Sequence, residues 1–276
     1  MSLISRRTLI ASLASCVAIP GLGQERGLDY REWQPRTYDD GLIPNFSFEV
    51  IELSLLGDIG VYALDSENDR ASGWSEDYRQ PSNSTVKFLI ATAVLYRVDA
   101  GQERLDRGIH VDDMMPLSHS PVLENAHGDT MPVSAICAAM MTRSDNAAAN
   151  LLLESLGGPQ SLTLWLRQMG DQVTRVDRYL PDLTTPPESP DSDSTTPAQM
   201  VRNMRTFLTG SAQLEGSRLL LKNWMTENAT GAHRLRAGVP QGWQVADRTG
   251  TGSDGRTSTI AAIYPLIENR CSWPST

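Results

Sequence analysis

Cysteine is scarce in this chain, and so are the other residues that hold metals. There are three cysteines and four histidines among 276 residues. Three cysteines do not make a disulfide framework. Cys137 lies in the apolar helical run 133–141 and reads as a small buried hydrophobe. His110, His119, His127 and His233 form no HExxH pattern and no close pair with cysteine, so neither a metal nor a cofactor is expected. Positive charge is short as well: 24 Lys and Arg stand against 33 Asp and Glu, a net charge of −9. Without a basic stretch, nucleic acid is a poor partner, because its phosphates need cations. No apolar run approaches the ~20 residues of a membrane-spanning helix.

What is present begins with an export pattern. Ser5-Arg6-Arg7-Thr8-Leu9 is a twin-arginine arrangement, and a short apolar stretch runs from Leu9 to Ile19. Residues 1–23 are read as a leader directing the chain to the periplasm; the plain alternative is a frayed N-terminal helix. Leu13-Ala14-Ser15-Cys16 resembles a lipobox, which would anchor the chain by lipid at Cys16; cleavage near Gly23-Gln24 is the other reading. Residues 24–43 read as a polar loop.

Apolar residues at helical spacing mark 46–56, and 60–64 reads as a strand; 66–73 is turn-rich. From Ser84 the residues Val86, Phe88, Leu89, Ile90, Ala91, Ala93, Val94 and Leu95 are apolar almost all round, the mark of a helix in the middle of a domain. Further helices are expected over 132–142, 146–156 (stopped by Gly157-Gly158), 161–169, 197–208 and 219–227. Strands are expected over 245–251 and 259–264, joined by a turn at 252–255. The segment 180–193 is rich in Pro, Ser, Thr and Asp and has no period, as functional loops often do. This order predicts an α+β fold. An antiparallel sheet is built from both ends of the chain (44–80 and 225–276), with an all-helical domain inserted over 81–224.

Three short patterns carry chemistry. In Ser84-Thr85-Val86-Lys87, positions i and i+3 of a helix share a face, so the amine can reach the hydroxyl. A serine is a weak nucleophile until a base takes its proton, and a buried lysine with a lowered pKa can be that base. Ser144-Asp145-Asn146 opens another helix, and all three residues are good N-caps on their own. Arg248-Thr249-Gly250-Thr251-Gly252 runs along a strand. Each pattern is ordinary alone; the trio in this order is not.

With Asn146-Ala147-Ala148-Ala149-Asn150, Gly157-Gly158-Pro159 and the run 230–243, the trio resembles the class A serine β-lactamases over roughly residues 45–264. The resemblance implies a β-lactamase/penicillin-binding transpeptidase-like fold, an α/β sandwich type, in a monomer acting on a small-molecule β-lactam. It implies Ser84 as the acylated nucleophile, Lys87 as its activator and Ser144 as the relay to the leaving nitrogen. Asn146 would hold the substrate amide. Arg248, Thr249, Gly250 and Thr251 would line the site, with Arg234 facing the substrate carboxylate and His119 taking the place of a cleft-lining aromatic. Backbone N–H groups of Ser84 and Thr251 would form the oxyanion hole.

Arg178 and Asp193 match the ion pair that clamps the family's omega loop, 178–193. Within that loop Leu180 stands where the family has glutamate, and Thr184 where it has asparagine. Acylation is therefore expected to run and deacylation to be slow, since positioned base catalysis is commonly worth ~10²–10⁴ in rate. Three readings follow: an impaired β-lactamase, a penicillin-binding D,D-peptidase-like enzyme, or a non-catalytic binding protein. The tail from Leu266 lacks the strand and long helix that the resemblance implies, so low stability is expected.

Overall fold

A computed structural model describes residues 9–15, 48–111 and 118–265 of the chain. The expectations for Cys16, for the loop 24–43 and for the tail from Leu266 lie outside the described residues. The sheet has five antiparallel strands in the order β3-β2-β1-β9-β8. These are β1 (Leu9–Ser15), β2 (Ile59–Asp65), β3 (Arg70–Trp74), β8 (Gln244–Thr251) and β9 (Thr257–Tyr264). Two short pairs lie apart from it: β4 (Gln80–Pro81) with β7 (Ser194–Thr195), and β5 (Gly108–His110) with β6 (Thr130–Pro132).

The sheet thus draws on both ends of the described chain, as expected, but it takes in two strands assigned otherwise. The stretch 66–73 is turn-rich in sequence. Only its first half turns, with the Asp65 carboxylate accepting from Glu67 N at 3.0 Å and Asp69 at φ 59°; β3 then pairs along β2 from Arg70. The second is β1, which falls inside the stretch read as an export leader. It pairs with β2 from Leu9↔Asp65 to Ser15↔Ile59, and with β9 from Leu9↔Ile263 to Ser15↔Thr257. A seven-residue apolar run suits a central strand and a leader equally, and periodicity does not separate them.

The helical region fills the middle of the chain: α2 (Val86–Asp99), α3 (Val133–Arg143), α4 (Asn146–Ser155), α5 (Pro159–Gln168), α6 (Pro197–Met204) and α7 (Glu215–Thr226). Helix α2 is its axis. Every residue from Val86 to Leu95 is buried, which is why the sequence there is apolar on all sides. Local signals set the helix ends. The Asp145 carboxylate caps α4 by accepting from Ala148 N at 2.9 Å. Gly157 and Gly158, at φ 96° and 90°, end α4 and admit Pro159 as the first residue of α5. Helix α6 starts on a Thr196 cap and runs into a wider turn over Arg205–Thr209. Helix α1 (Glu49–Leu55) buries none of its residues, and Val50, Leu53 and the following Leu56 are about 70% exposed.

Candidate active site

The sequence places Ser84 at the start of a helix. The structure makes that start a tight turn, Asn83–Thr85, that leads directly into α2. Residues i and i+3 eclipse in such a turn, so the serine and lysine still meet. Asn83 holds φ 46°, and this left-handed step turns the chain into the helix where Ser84 sits. Strand β8 presses against the same turn. A Cβ on Gly250 would lie 2.7 Å from Ser84 N, 2.7 Å from Asn83 Cβ and 2.6 Å from Ser258 Oγ. Only glycine lets the strand backbone approach the nucleophile this closely.

Lys87 is fully buried, and four oxygens surround its Nζ. Ser144 O lies at 2.7 Å, Asn146 Oδ1 at 2.6 Å, Ser144 Oγ at 3.1 Å and Ser84 Oγ at 3.3 Å. Two of these, the carbonyl and the amide oxygen, can only accept. The other two are hydroxyls, which can donate. A neutral amine fits this set: its two N–H bonds go to the acceptors, and its lone pair faces the hydroxyls. Burial favours that form and holds the pKa well below 10.5; the Arg248 charge lowers it further, and Asp145 opposes both.

The three residues 144–146 bind helix, loop and lysine together. Ser144 ends α3 at φ 61°. Asp145, besides its cap, accepts from Val122 N at 2.9 Å and Leu123 N at 3.0 Å, which fixes the loop carrying His119. Asn146 donates from Nδ2 to Ser118 O at 2.8 Å, and its N–H bonds His119 O at 3.1 Å. The His119 side chain is exposed and its backbone holds φ 60°.

Arg248 is not at the cleft surface. It is fully buried, and burial lowers its pKa to about 10, so it remains a cation at neutral pH. Its Nη2 donates to Ser144 Oγ at 2.5 Å, its Nη1 to Thr230 Oγ1 at 3.4 Å, and its Nε has no hydrogen-bond partner. The outer groups are Thr251, which is exposed, and Arg234, whose Nη2 donates to Thr251 Oγ1 at 3.3 Å.

Sequence reasoning did not single out Thr230, Asn228 and Asp247, which hold Thr249 from behind. Asp247 Oδ1 accepts from Arg236 at 2.6 Å and from Asn228 Nδ2 at 3.0 Å. That orients the Asn228 amide so that its Oδ1 accepts from the Thr230 hydroxyl at 2.8 Å. With its proton committed, Thr230 receives the Thr249 hydroxyl at 2.6 Å.

The omega loop has the expected clamp. Arg178 Nε donates to Asp193 Oδ2 at 2.6 Å, and Asp193 Oδ1 also accepts from Asp177 N at 2.8 Å and Arg178 N at 3.1 Å. Ser253 N donates to Thr184 O at 2.9 Å, tying the loop to the turn after β8. The Leu180–Pro181 bond is cis. Leu180 is 3% exposed and packs into the main core. Its backbone is gripped on both sides by Asn150, which accepts from Leu180 N at 3.0 Å and donates to Leu180 O at 2.7 Å. Asn150 was missed as a working residue, although a lone polar group in an Ala/Leu helix must find partners if buried. Asp182 and Glu188, two of the loop carboxylates that follow Leu180, are both exposed. The Thr184 hydroxyl is committed to Pro181 O at 2.7 Å.

Residues 50–266 match a family model described as the β-lactamase enzyme family. The chain belongs to that family. Among solved structures it is 49% identical to an ancestral class A β-lactamase, over 76% of this chain and 80% of that one, with a TM-score of 0.74. A variant of the last common ancestor of Gram-negative class A β-lactamases is 47% identical over 79% and 82% of the two chains, at a TM-score of 0.77. A β-lactamase from Xanthomonas campestris pv. campestris is 36% identical over 81% and 89%, at 0.73. The fold is therefore that of the class A β-lactamases, as the serine, lysine and Ser-Asp-Asn patterns implied.

Proposed function

We propose that this chain is a serine β-lactam hydrolase that forms its acyl-enzyme readily and releases it slowly. The observation that carries the first half is Lys87 Nζ, fully buried and facing the hydroxyls of Ser84 and Ser144 at 3.3 and 3.1 Å. Ser84 Oγ attacks the β-lactam carbonyl carbon while its proton passes to the neutral Lys87 amine. The oxyanion is received by the backbone N–H groups of Ser84 and Thr251. As the ring C–N bond breaks, the proton returns from Lys87 through Ser144 to the leaving nitrogen. Arg248 keeps a positive charge beside Ser144 throughout. Asn146 holds the substrate amide. Arg234, Thr249 and Thr251 receive the carboxylate, with the buried Arg248 charge behind them.

The second half rests on Leu180. By the family resemblance, a side chain without proton or lone pair stands where a base would poise water, and Asp182 and Glu188 are exposed. The same observation favours a second reading, a penicillin-binding D,D-peptidase-like enzyme that is acylated and held. The protein works as a cofactor-free monomer. It is exported to the periplasm by a twin-arginine leader that is cleaved near Gly23 or ends at a lipidated Cys16. Intact-mass analysis after mixing with benzylpenicillin tests the chemistry. An adduct on Ser84 that persists for many minutes is expected. An adduct that clears within seconds refutes slow release, and no adduct at all refutes the acylating site.

A further inference from the structure

The strand at the centre of the sheet, Leu9–Ser15, lies inside the stretch read as an export leader. We infer that the gap between β2 and β9 is a strand-binding slot whose resident is Leu9–Ser15, and that leader in the sheet and leader free for export are mutually exclusive states. The inference rests in part on the leader reading above. The pairing itself does not.

Three observations carry it. First, β1 is central: all seven residues have a partner on β2 and another on β9. Successive residues of a central strand send their N–H and C=O groups alternately to the two neighbours, so neither edge is left over. Second, β2 and β9 are next to each other in the sheet only through β1. Without it, each would present an unpaired edge about seven residues long, a template for any extended segment. Third, helix α6 packs across both β1 and β2, so the slot has a floor as well as two walls. The occupant these edges fit is short, extended and mainly apolar. Leu9-Ile10-Ala11-Ser12-Leu13-Ala14-Ser15 meets that description, one residue after Arg6-Arg7.

A backbone paired on both sides is hidden from a receptor that must read the leader. Unpairing β1 for export opens the slot, and cleavage after residue 23 would remove the strand for good. Among the described strands, processing would leave β2 and β9 each without the partner that joins them.

Hydrogen exchange read by mass spectrometry on the purified full-length chain tests this. Amides of 9–15 should exchange more slowly than a free segment by on the order of 10²-fold or more, together with those of 59–65 and 257–264. Ala11→Pro, which removes one donor from the middle of the strand, should release protection in all three segments at once. Free exchange of 9–15 in the unaltered chain overturns the inference, whatever export does and whether or not the proline variant folds. Protection that disappears on dilution also overturns it, because the strand would then come from a second copy. Persistence of β2 and β9 protection in a well-folded Ala11→Pro chain would do the same.

Discussion

Leu180→Glu puts a base where the proposed slow step needs one, and its consequences for rate and stability should have opposite signs. Asn150 grips residue 180 only through its backbone, at 3.0 and 2.7 Å, so the exchange leaves the main-chain position alone. The gain is that of a positioned base, ~10²–10⁴ in deacylation rate, or roughly 3–5 kcal/mol off that barrier. The cost is local. Leu180 is 3% exposed, and withdrawing such a side chain from the core loses ~1.5–3 kcal/mol. A carboxylate there also needs hydrogen-bond partners to offset its desolvation. The assay is a pulse of benzylpenicillin followed by intact mass over time, beside a thermal melt. The adduct should clear ~10²-fold faster or more in the variant, and Tm should fall by several degrees, ~2–4 °C per kcal/mol at this chain length. If the unaltered chain clears its adduct as fast as Leu180→Glu does, the missing base does not limit turnover and the reasoning about this loop is wrong.

Acylation should keep its rate well below pH 10.5, because burial and the Arg248 charge hold the Lys87 amine well below its ordinary range; Lys87→Met should abolish it. Between the lowered pKa and 10.5 the unfolded chain binds a proton that the native one does not, so stability should rise with pH in that window, and a pH series of melts should lose this slope in Lys87→Met. Gly250→Ala should cut the acylation rate on the order of 10²-fold by pushing β8 off the Ser84 turn, measured by stopped-flow with a chromogenic cephalosporin. Thr230→Val should raise the penicillin concentration for half-maximal acylation about 2–10-fold without changing the maximal rate, and Thr230→Ser should restore it. Asp193→Ala strands three donors, one of them the partly buried Arg178 guanidinium; it should loosen the omega loop by ~3 kcal/mol, read as faster exchange over 177–185.

Much of the site was legible because it is local. Helical spacing alone brings Ser84 to Lys87, and an apolar run on all sides says that the pair is buried. Ser144 and Asn146 lie 57 and 59 positions from Lys87, and no periodicity joins them. Their place came from the order of three patterns and the resemblance it carries. The depth of Arg248 was not legible. Strand alternation assigns it a face of β8 but does not say that Ser144 and Thr230 close over that face. The supports Asn150, Asn228 and Thr230 act through partners 19 to 30 positions away, beyond any local rule. In the fold, β1 and β3 were missed for opposite reasons. The first is an apolar run with two lives, and the second, Arg-Ala-Ser-Gly-Trp, has a composition that reads as turn.

The two halves of the catalytic cycle differ in how tightly the fold depends on them. Lys87, Ser144, Asn146 and Arg248 are buried and bonded to one another, so removing any of them strands polar groups in the core and costs stability as well as chemistry. The side chain of residue 180 holds nothing of the kind. The loop around it is kept by Arg178–Asp193, by Asn150 on the backbone and by Ser253 on Thr184 O, none of which involves that side chain. A leucine there joins the main core, whereas a buried carboxylate must be paired or pay its desolvation. Stability alone therefore protects the acylating half and favours loss of the deacylating one. A chain of this fold that drifts without selection for turnover would reach a state that binds penicillin covalently and keeps it.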